Sequence, residues 1–303
     1  MSKIVGIGAC VMDTLYNLPD YPAEDTKARA SASKNAGGGP TATGLVAAEK
    51  LGVPTAYIGT LSDDNGGVFL KKDFEKYSVD TSLIDIKSGY RSFTSVIWLC
   101  AKNASRTCVF DKGDLPALVL NEKQIQAICD AEILMVDGNE LSAAVEAAKI
   151  ARANGTTVLY DCGGLYEGVS KLLALTDIMI PSKEFALGHT GCTDIESAAK
   201  KLMADYAPKV VVITDGKNGG YIYGGEDIKH YPIYPAEVVD SNGSGDVFHG
   251  AFAAGLAKGF DFEKCCHFSS AVSAMKCMGV GARESVPSFE KVKEYMKENG
   301  YEL

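Results

Sequence analysis

The sequence predicts an α/β protein: a mainly parallel sheet with helices on both faces. Short apolar runs alternate with longer amphipathic stretches along most of the 303 residues. That alternation buries each strand on both faces and supplies the helical crossover that parallel neighbours require. The composition, 46% hydrophobic and 23% charged, is that of a globular chain able to bury a large core. Two segments, from about 13 to 36 and 88 to 112, have no helical period and read instead as a small β appendage on a single domain spanning 1–303.

In chain order, Ile4–Ala9, Thr55–Ile58, Ile133–Val136, Thr157–Tyr160, Ile178–Ile180 and Val210–Thr214 read as buried strands. Thr41–Leu51, Gly66–Tyr77, Ala143–Asn154 and Ile195–Tyr206 carry the helical spacing between them. Within the second aperiodic segment, Ser92–Cys100 and Thr107–Phe110 flank the turn Lys102–Ser105 and read as a hairpin. In sheets of this kind ligands bind beyond the carboxyl ends of the strands.

The formal charge of −9, with no lysine-arginine cluster, argues against nucleic acid as the main partner. Nine scattered cysteines without a C-x-x-C pair indicate neither a disulfide framework nor a zinc site. No stretch is long and apolar enough for a signal peptide or a membrane span. The expected setting is a reducing cytoplasm, where the sequons at Asn103 and Asn242 are chance matches.

The chemistry concentrates in Val238-Val239-Asp240-Ser241-Asn242-Gly243-Ser244-Gly245-Asp246, where an apolar run passes through a small-residue loop into an alanine-rich helix. Backbone N–H groups at Gly243, Ser244 and Gly245 are open to close approach, and the positive end of the helix dipole completes an anion site. Asp246 sets a carboxylate beside that site, suited to taking a proton from an attacking hydroxyl. A glycine turn with Asp246 as helix cap is the simpler alternative. Far upstream, Gly37-Gly38-Gly39-Pro40-Thr41-Ala42-Thr43 opens a second alanine-rich helix.

These two motifs, in this order and at this spacing, resemble the ribokinase-like (PfkB) family of carbohydrate kinases, which carries a GG motif early and D-T-x-G-A-G-D late. The resemblance runs from Ile4 to about Pro287 and implies a three-layer α/β/α fold with a small β-sheet lid over the sugar, the lid often forming a dimer contact. It makes Asp246 the general base and Gly243, Ser244 and Gly245 the anion hole, with serine at 244 where alanine is usual. Asp13, Gly38 and Gly39 fall at substrate positions; Asp13 also suits a polyol by itself, since a carboxylate accepts from two neighbouring hydroxyls. Thr43 stands where many sugar kinases of the family have asparagine.

The GGGPTAT run, Val11-Met12-Asp13, Val247-Phe248-His249-Gly250-Ala251 and Lys276-Cys277 resemble the sulfofructose-kinase branch, and Lys27 falls where that branch has a lysine near the substrate anion. The arginine and asparagine that accompany it there align with Asn139 and Phe110. On the nucleotide side, Thr214, Gly216 and Gly219 resemble the family's T-x-G-x-x-G segment, and Ala271 and Ala274 are small enough to admit an adenine ring. Glu184, in Pro181-Ser182-Lys183-Glu184, falls where a glutamate organises Mg²⁺ through its waters. Asp240, with backbone from Gly279 to Ser285, resembles the loop that binds a monovalent cation such as K⁺ in some members. His249 is read as a packing residue.

The expectation is an ATP-dependent, Mg²⁺-requiring kinase of a small sugar or sugar derivative, homodimeric through its lid. A nucleoside kinase of the same fold, or a catalytically silent sugar-binding or regulatory protein, are the alternatives. An intact base in the Gly-Ser-Gly-Asp loop speaks against the latter.

Overall fold

The protein is described by a computed structural model for residues 2–103 and 105–303. Its strands are β1 (Ile4–Ile7), β2 (Val11–Leu18), β3 (Ala32–Gly38), β4 (Thr55–Tyr57), β5 (Gly59–Ser62), β6 (Ile84–Lys87), β7 (Thr94–Cys100), β8 (Ser105–Asp111), β9 (Ile133–Val136), β10 (Thr157–Cys162), β11 (Ile178–Pro181), β12 (Val210–Thr214), β13 (Gly220–Tyr223) and β14 (Ile228–Tyr231). The helices are α1 (Pro40–Lys50), α2 (Asn65–Lys76), α3 (Glu122–Asp130), α4 (Leu141–Ala153), α5 (Ser170–Leu173), α6 (Lys183–Thr190), α7 (Ile195–Tyr206), α8 (Ser244–Ala257), α9 (Phe262–Cys277) and α10 (Phe289–Glu298).

The main sheet runs β14-β13-β12-β11-β10-β9-β1-β4, with the six strands from β12 to β4 parallel. Period-two alternation sends successive side chains to opposite cores. Ile133 and Met135 join one cluster with α1, α8 and α9, whereas Leu134 and Val136 join the other with α4 and α7. This double burial makes the strands near-continuous apolar runs, which is why they are legible in the sequence. The antiparallel edge formed by β13 and β14, and the parallel pair β5–β6, lie outside the sequence expectation.

A second sheet, β3-β2-β7-β8, is built from the two aperiodic segments. The β7–β8 pairing makes the expected hairpin, from Thr94–Asp111 to Cys100–Ser105. Its expected turn, Lys102–Ser105, includes Ala104, which lies outside the described residues. Register places Asp13, Ser95 and Phe110 in one row, so these side chains share a face. Thr14, Val96 and Val109 share the opposite one.

Helix α8 is buried along almost its whole length because it packs between α1 and α9. Gly250 permits that closeness: a Cβ there would stand 2.1 Å from the Gly44 carbonyl oxygen of α1. Helix propensity favours alanine over glycine by about 1 kcal/mol, but overpacking a rigid backbone contact costs about 1–3 kcal/mol. Gly250→Ala is therefore expected to lower the urea midpoint. A raised midpoint would show that the two helices separate freely.

Candidate active site

The carboxyl edge of the parallel strands leads into Gly8, Asp137, Ser182 and Thr214, and the four-stranded sheet carries Asp13 and Arg106. Helix α8 starts beside them with Gly243 as its N-cap, at φ 73°, and no side chain caps its first turn. By contrast, Asp64, Asn121, Ser182, Asp194 and Asp261 each cap their own helices. The carbonyls at the start of α8 are held by partners: Ser244 C=O accepts from Ser273 Oγ at 2.9 Å, and Gly245 C=O lies 2.6 Å from His249 Nδ1. Because a trans peptide sets C=O and the next N–H in opposite directions, these bonds aim the N–H groups of Gly245 and Asp246 outward. The arrangement is a helix N-terminus with outward N–H groups, suited to an anion, and a carboxylate, Asp246, in the same turn.

Asp246 is only half-buried at its surface, yet the protein around it pushes its carboxyl above the usual carboxylate range. Desolvation is the main cause, opposed by the positive charges of His249, Arg106 and Arg283. Asp13 is raised as well, first by burial, with the Ser95 hydroxyl and Arg283 opposing and the charge of Asp246 adding to the rise. Asp13 lies within β2 rather than in a turn after the first strand, and accepts from Ser95 Oγ at 2.5 Å.

The glycine run is explained by contacts at each position. A Cβ on Gly37 would stand 2.1 Å from Arg283 Nη1, and one on Gly38 2.0 Å from Asp13 Oδ2. Gly39 has φ 94° and would place a Cβ 2.2 Å from the Ala9 carbonyl. Helix α1 is capped from outside by Asp137, whose Oδ2 accepts from the N–H groups of Ala9 at 2.8 Å and Thr41 at 3.1 Å.

Several expected residues fall elsewhere. Thr43 is fully buried and its hydroxyl accepts from Arg283 Nε at 3.3 Å, so it faces the protein rather than an open cleft. Ala271 is wholly buried in the core and Ala274 packs against the same cluster; Ala271 therefore has no open face for an adenine ring. Thr214 ends β12 half-buried, Gly216 is exposed with φ 53°, and Gly219 is buried in the β12–β13 turn with φ 83°. Ser182 bridges to Thr214, which brings exposed Glu184, at the start of α6, to the same edge as the nucleotide segment. Lys27 is exposed in the β2–β3 connection and makes no hydrogen bond or ion pair among the described residues.

His249 does more than pack. Its Nε2 faces the Ile180 carbonyl at 3.0 Å while Nδ1 faces the Gly245 carbonyl and, at 3.2 Å, Asp161 Oδ2. Backbone carbonyls thus face both ring nitrogens, and the Asp161 carboxyl stands beside Nδ1. Burial pushes Asp161 up to about 7, and His249 opposes that rise.

Arg106, Asp137, Asp161 and Arg283 were missed by sequence reasoning. Arg106 reaches from β8 to donate to Asn242 Oδ1 at 2.6 Å, joining the second sheet to the loop that precedes α8. Its charge acts on both Asp13 and Asp246. Arg283 is 1% exposed, bonds Asp73 at 2.6 Å and the Gly38 carbonyl at 2.7 Å, and lies over the Phe74 ring. Neither arginine stands out in the sequence, where Arg106 lies between Ser105 and Thr107 and Arg283 is followed by Glu284 and Ser285.

Comparison with known proteins bears on the family and the fold. A 5-dehydro-2-deoxygluconokinase from Clostridium perfringens is 29% identical over 97% of this chain and 92% of its own. A Staphylococcus aureus ribokinase is 26% identical over 97% of this chain and 99% of its own. The solved structure of Arabidopsis thaliana ribokinase complexed with ribose and ATP superposes with a TM-score of 0.87 at 23% identity, covering 98% of this chain and 99% of that one, and shows the shared fold. These relatives carry the family but not the sulfofructose-kinase branch. The pfkB family carbohydrate kinase profile matches residues 1–288, and the chain belongs to that family of sugar kinases.

Proposed function

We propose that the protein phosphorylates a hydroxyl of a sugar acid with ATP, using Asp246 as base. The observation that carries this reading is Arg106, a lid cation anchored on Asn242 whose charge reaches the two carboxylates of the cleft. A neutral sugar gives such a cation nothing to pair with, whereas a substrate carboxylate accepts two parallel bonds from a guanidinium. The resemblance to a kinase named for a dehydro-deoxy-gluconate supports the same class.

In this reading Asp13 accepts from substrate hydroxyls and orients the acceptor between itself and Asp246. The acceptor hydroxyl gives its proton to Asp246 as its oxygen bonds the terminal phosphorus of ATP; the bond from that phosphorus to the bridging oxygen breaks, and ADP leaves. The outward N–H groups of Gly245 and Asp246 stabilise the charge on the transferring group, whereas the Ser244 N–H, expected to share that task, donates to the Ser241 carbonyl at 3.3 Å. Thr214 and Gly216 line the nucleotide end. Glu184 is a single exposed carboxylate, a donor set that fits Mg²⁺ retaining most of its waters and neutralising phosphate charge when bound. The exposed Tyr16, Val96, Trp98 and Val109 on the outer face of the lid support a homodimer through it.

Arg106→Ala tests the substrate class. Losing a charge-assisted hydrogen bond worth about 1.5–3 kcal/mol is expected to raise KM for 5-dehydro-2-deoxygluconate roughly 10- to 100-fold beyond any change in the KM for ribose, which reports the loss of the Asn242 bond alone. An equal effect on both acceptors would remove the sugar-acid assignment. A nucleoside is the second reading, favoured by the Phe93–Phe110 pair, with centroids 5.8 Å apart, on the cleft side of the lid. Turnover of adenosine above any sugar acid would select it.

A further inference from the structure

The loop expected to hold a monovalent cation does not fit one. Asp240 Oδ1 accepts from the Asn242 N–H at 2.9 Å and Oδ2 from the Gly281 N–H at 2.8 Å. The carbonyl of Asp240 accepts from Lys276 Nζ at 2.6 Å. Opposite it, the carbonyls of Arg283 and Glu284 accept from Lys50 Nζ at 2.9 and 2.8 Å, and that of Gly281 from Ser285 Oγ at 2.5 Å. The oxygens a bound ion would draw on are thus engaged by the chain itself: three carbonyls by two ammonium groups, the Asp240 carboxylate by two backbone N–H groups and the Gly281 carbonyl by a hydroxyl. A potassium ion placed among them would meet like charge in a poorly solvated loop.

Lys276 is the unusual member of this set. It is completely buried in the last turn of α9, a position lysine almost never takes without a charge-dependent role. Burial lowers its pKa, and the negative charges of Asp240 and Asp246 oppose that fall. One turn earlier on the same helix, Ser273 holds the Ser244 carbonyl. Residues 273 and 276, three apart on one helix face, therefore grip both ends of the Asp240–Ser244 loop.

We propose that the Lys276 ammonium is a built-in monovalent cation, which occupies the place of a bound potassium ion and positions the anion loop through the Asp240 carbonyl. The inference rests on the reading of Gly243–Gly245 as the phosphate loop. Lys276 touches neither sugar nor nucleotide; it is a positioning residue.

The test is the affinity of the Mg²⁺ complex of AMP-PNP, by calorimetry, in KCl, NaCl and tetramethylammonium chloride at equal ionic strength. The wild type is expected to bind equally in all three, within about twofold. Lys276→Ala is expected to bind at least tenfold more weakly in tetramethylammonium, with K⁺ or NH₄⁺ restoring most of the loss by entering the vacated space. Lys276→Met, which fills that space without charge, is expected to stay weak in every salt. Tenfold tighter wild-type binding in KCl than in tetramethylammonium would overturn the inference, and that series needs no variant to fold. So would a folded Lys276→Ala that binds like the wild type in tetramethylammonium. No wild-type binding in any salt would overturn the phosphate-loop reading and this inference with it.

Discussion

Asp246→Asn is expected to lower kcat by about 10²–10⁴-fold, the range supplied by a positioned general base, while leaving nucleotide affinity within a few-fold of wild type. Asparagine keeps the shape and a hydrogen-bonding oxygen but cannot take the proton. The same substitution is expected to raise thermal stability. Because folding raises the Asp246 pKa, the site's contribution to stability is fully present below the ordinary carboxylate range and is lost as pH rises through the raised value. At neutral pH the wild type carries that penalty and the amide does not. For the same reason the acid limb of kcat/KM should lie above the usual carboxylate range, with activity falling as pH is lowered through it. A variant that is inactive and also less stable at neutral pH would mean that Asp246 serves the fold rather than the reaction.

Arg283→Ala is expected to cost about 3–5 kcal/mol of stability, the scale for removing one member of a buried ion pair. The guanidinium joins elements distant in sequence: Asp73 at the end of α2, the Gly38 carbonyl in the glycine run and Thr43 in α1. Removing it strands the Asp73 carboxylate and leaves a cavity beside Phe74. Urea unfolding at unchanged m would measure the loss. The double variant Arg283→Met, Asp73→Leu is expected to recover a substantial part of it, because it removes the unpaired charge as well. A single-variant loss below about 1 kcal/mol would show that water replaces the guanidinium without strain.

How far the sequence foretold this structure depended on where each signal resides. Strands such as Ile133–Val136 and Val210–Thr214 are legible to the residue because burial on both faces makes them apolar throughout, save for Thr214 at the very end of the second. Short antiparallel strands such as Gly220–Tyr223, with alternating burial and a tyrosine at each second position, carry a much weaker pattern. Asp246 and the glycines on both sides of the cleft were legible because close packing and positive φ restrict residue type locally, as at Gly38 against Asp13 and at Gly39 and Gly243. Arg106, Arg283 and Lys276 were not legible as site residues, since each acts through a partner far away in the chain. The buried state of Thr43 follows from Arg283, and so was hidden for the same reason.

The central claim is phosphoryl transfer to a sugar hydroxyl, and ³¹P NMR of the reaction mixture tests it most directly. With Mg²⁺, ATP and 5-dehydro-2-deoxygluconate, the expected spectrum shows a new phosphomonoester resonance growing in step with ADP, and Asp246→Asn suppresses both. ADP accompanied only by inorganic phosphate, or no phosphomonoester with any sugar, sugar acid or nucleoside offered, would contradict it.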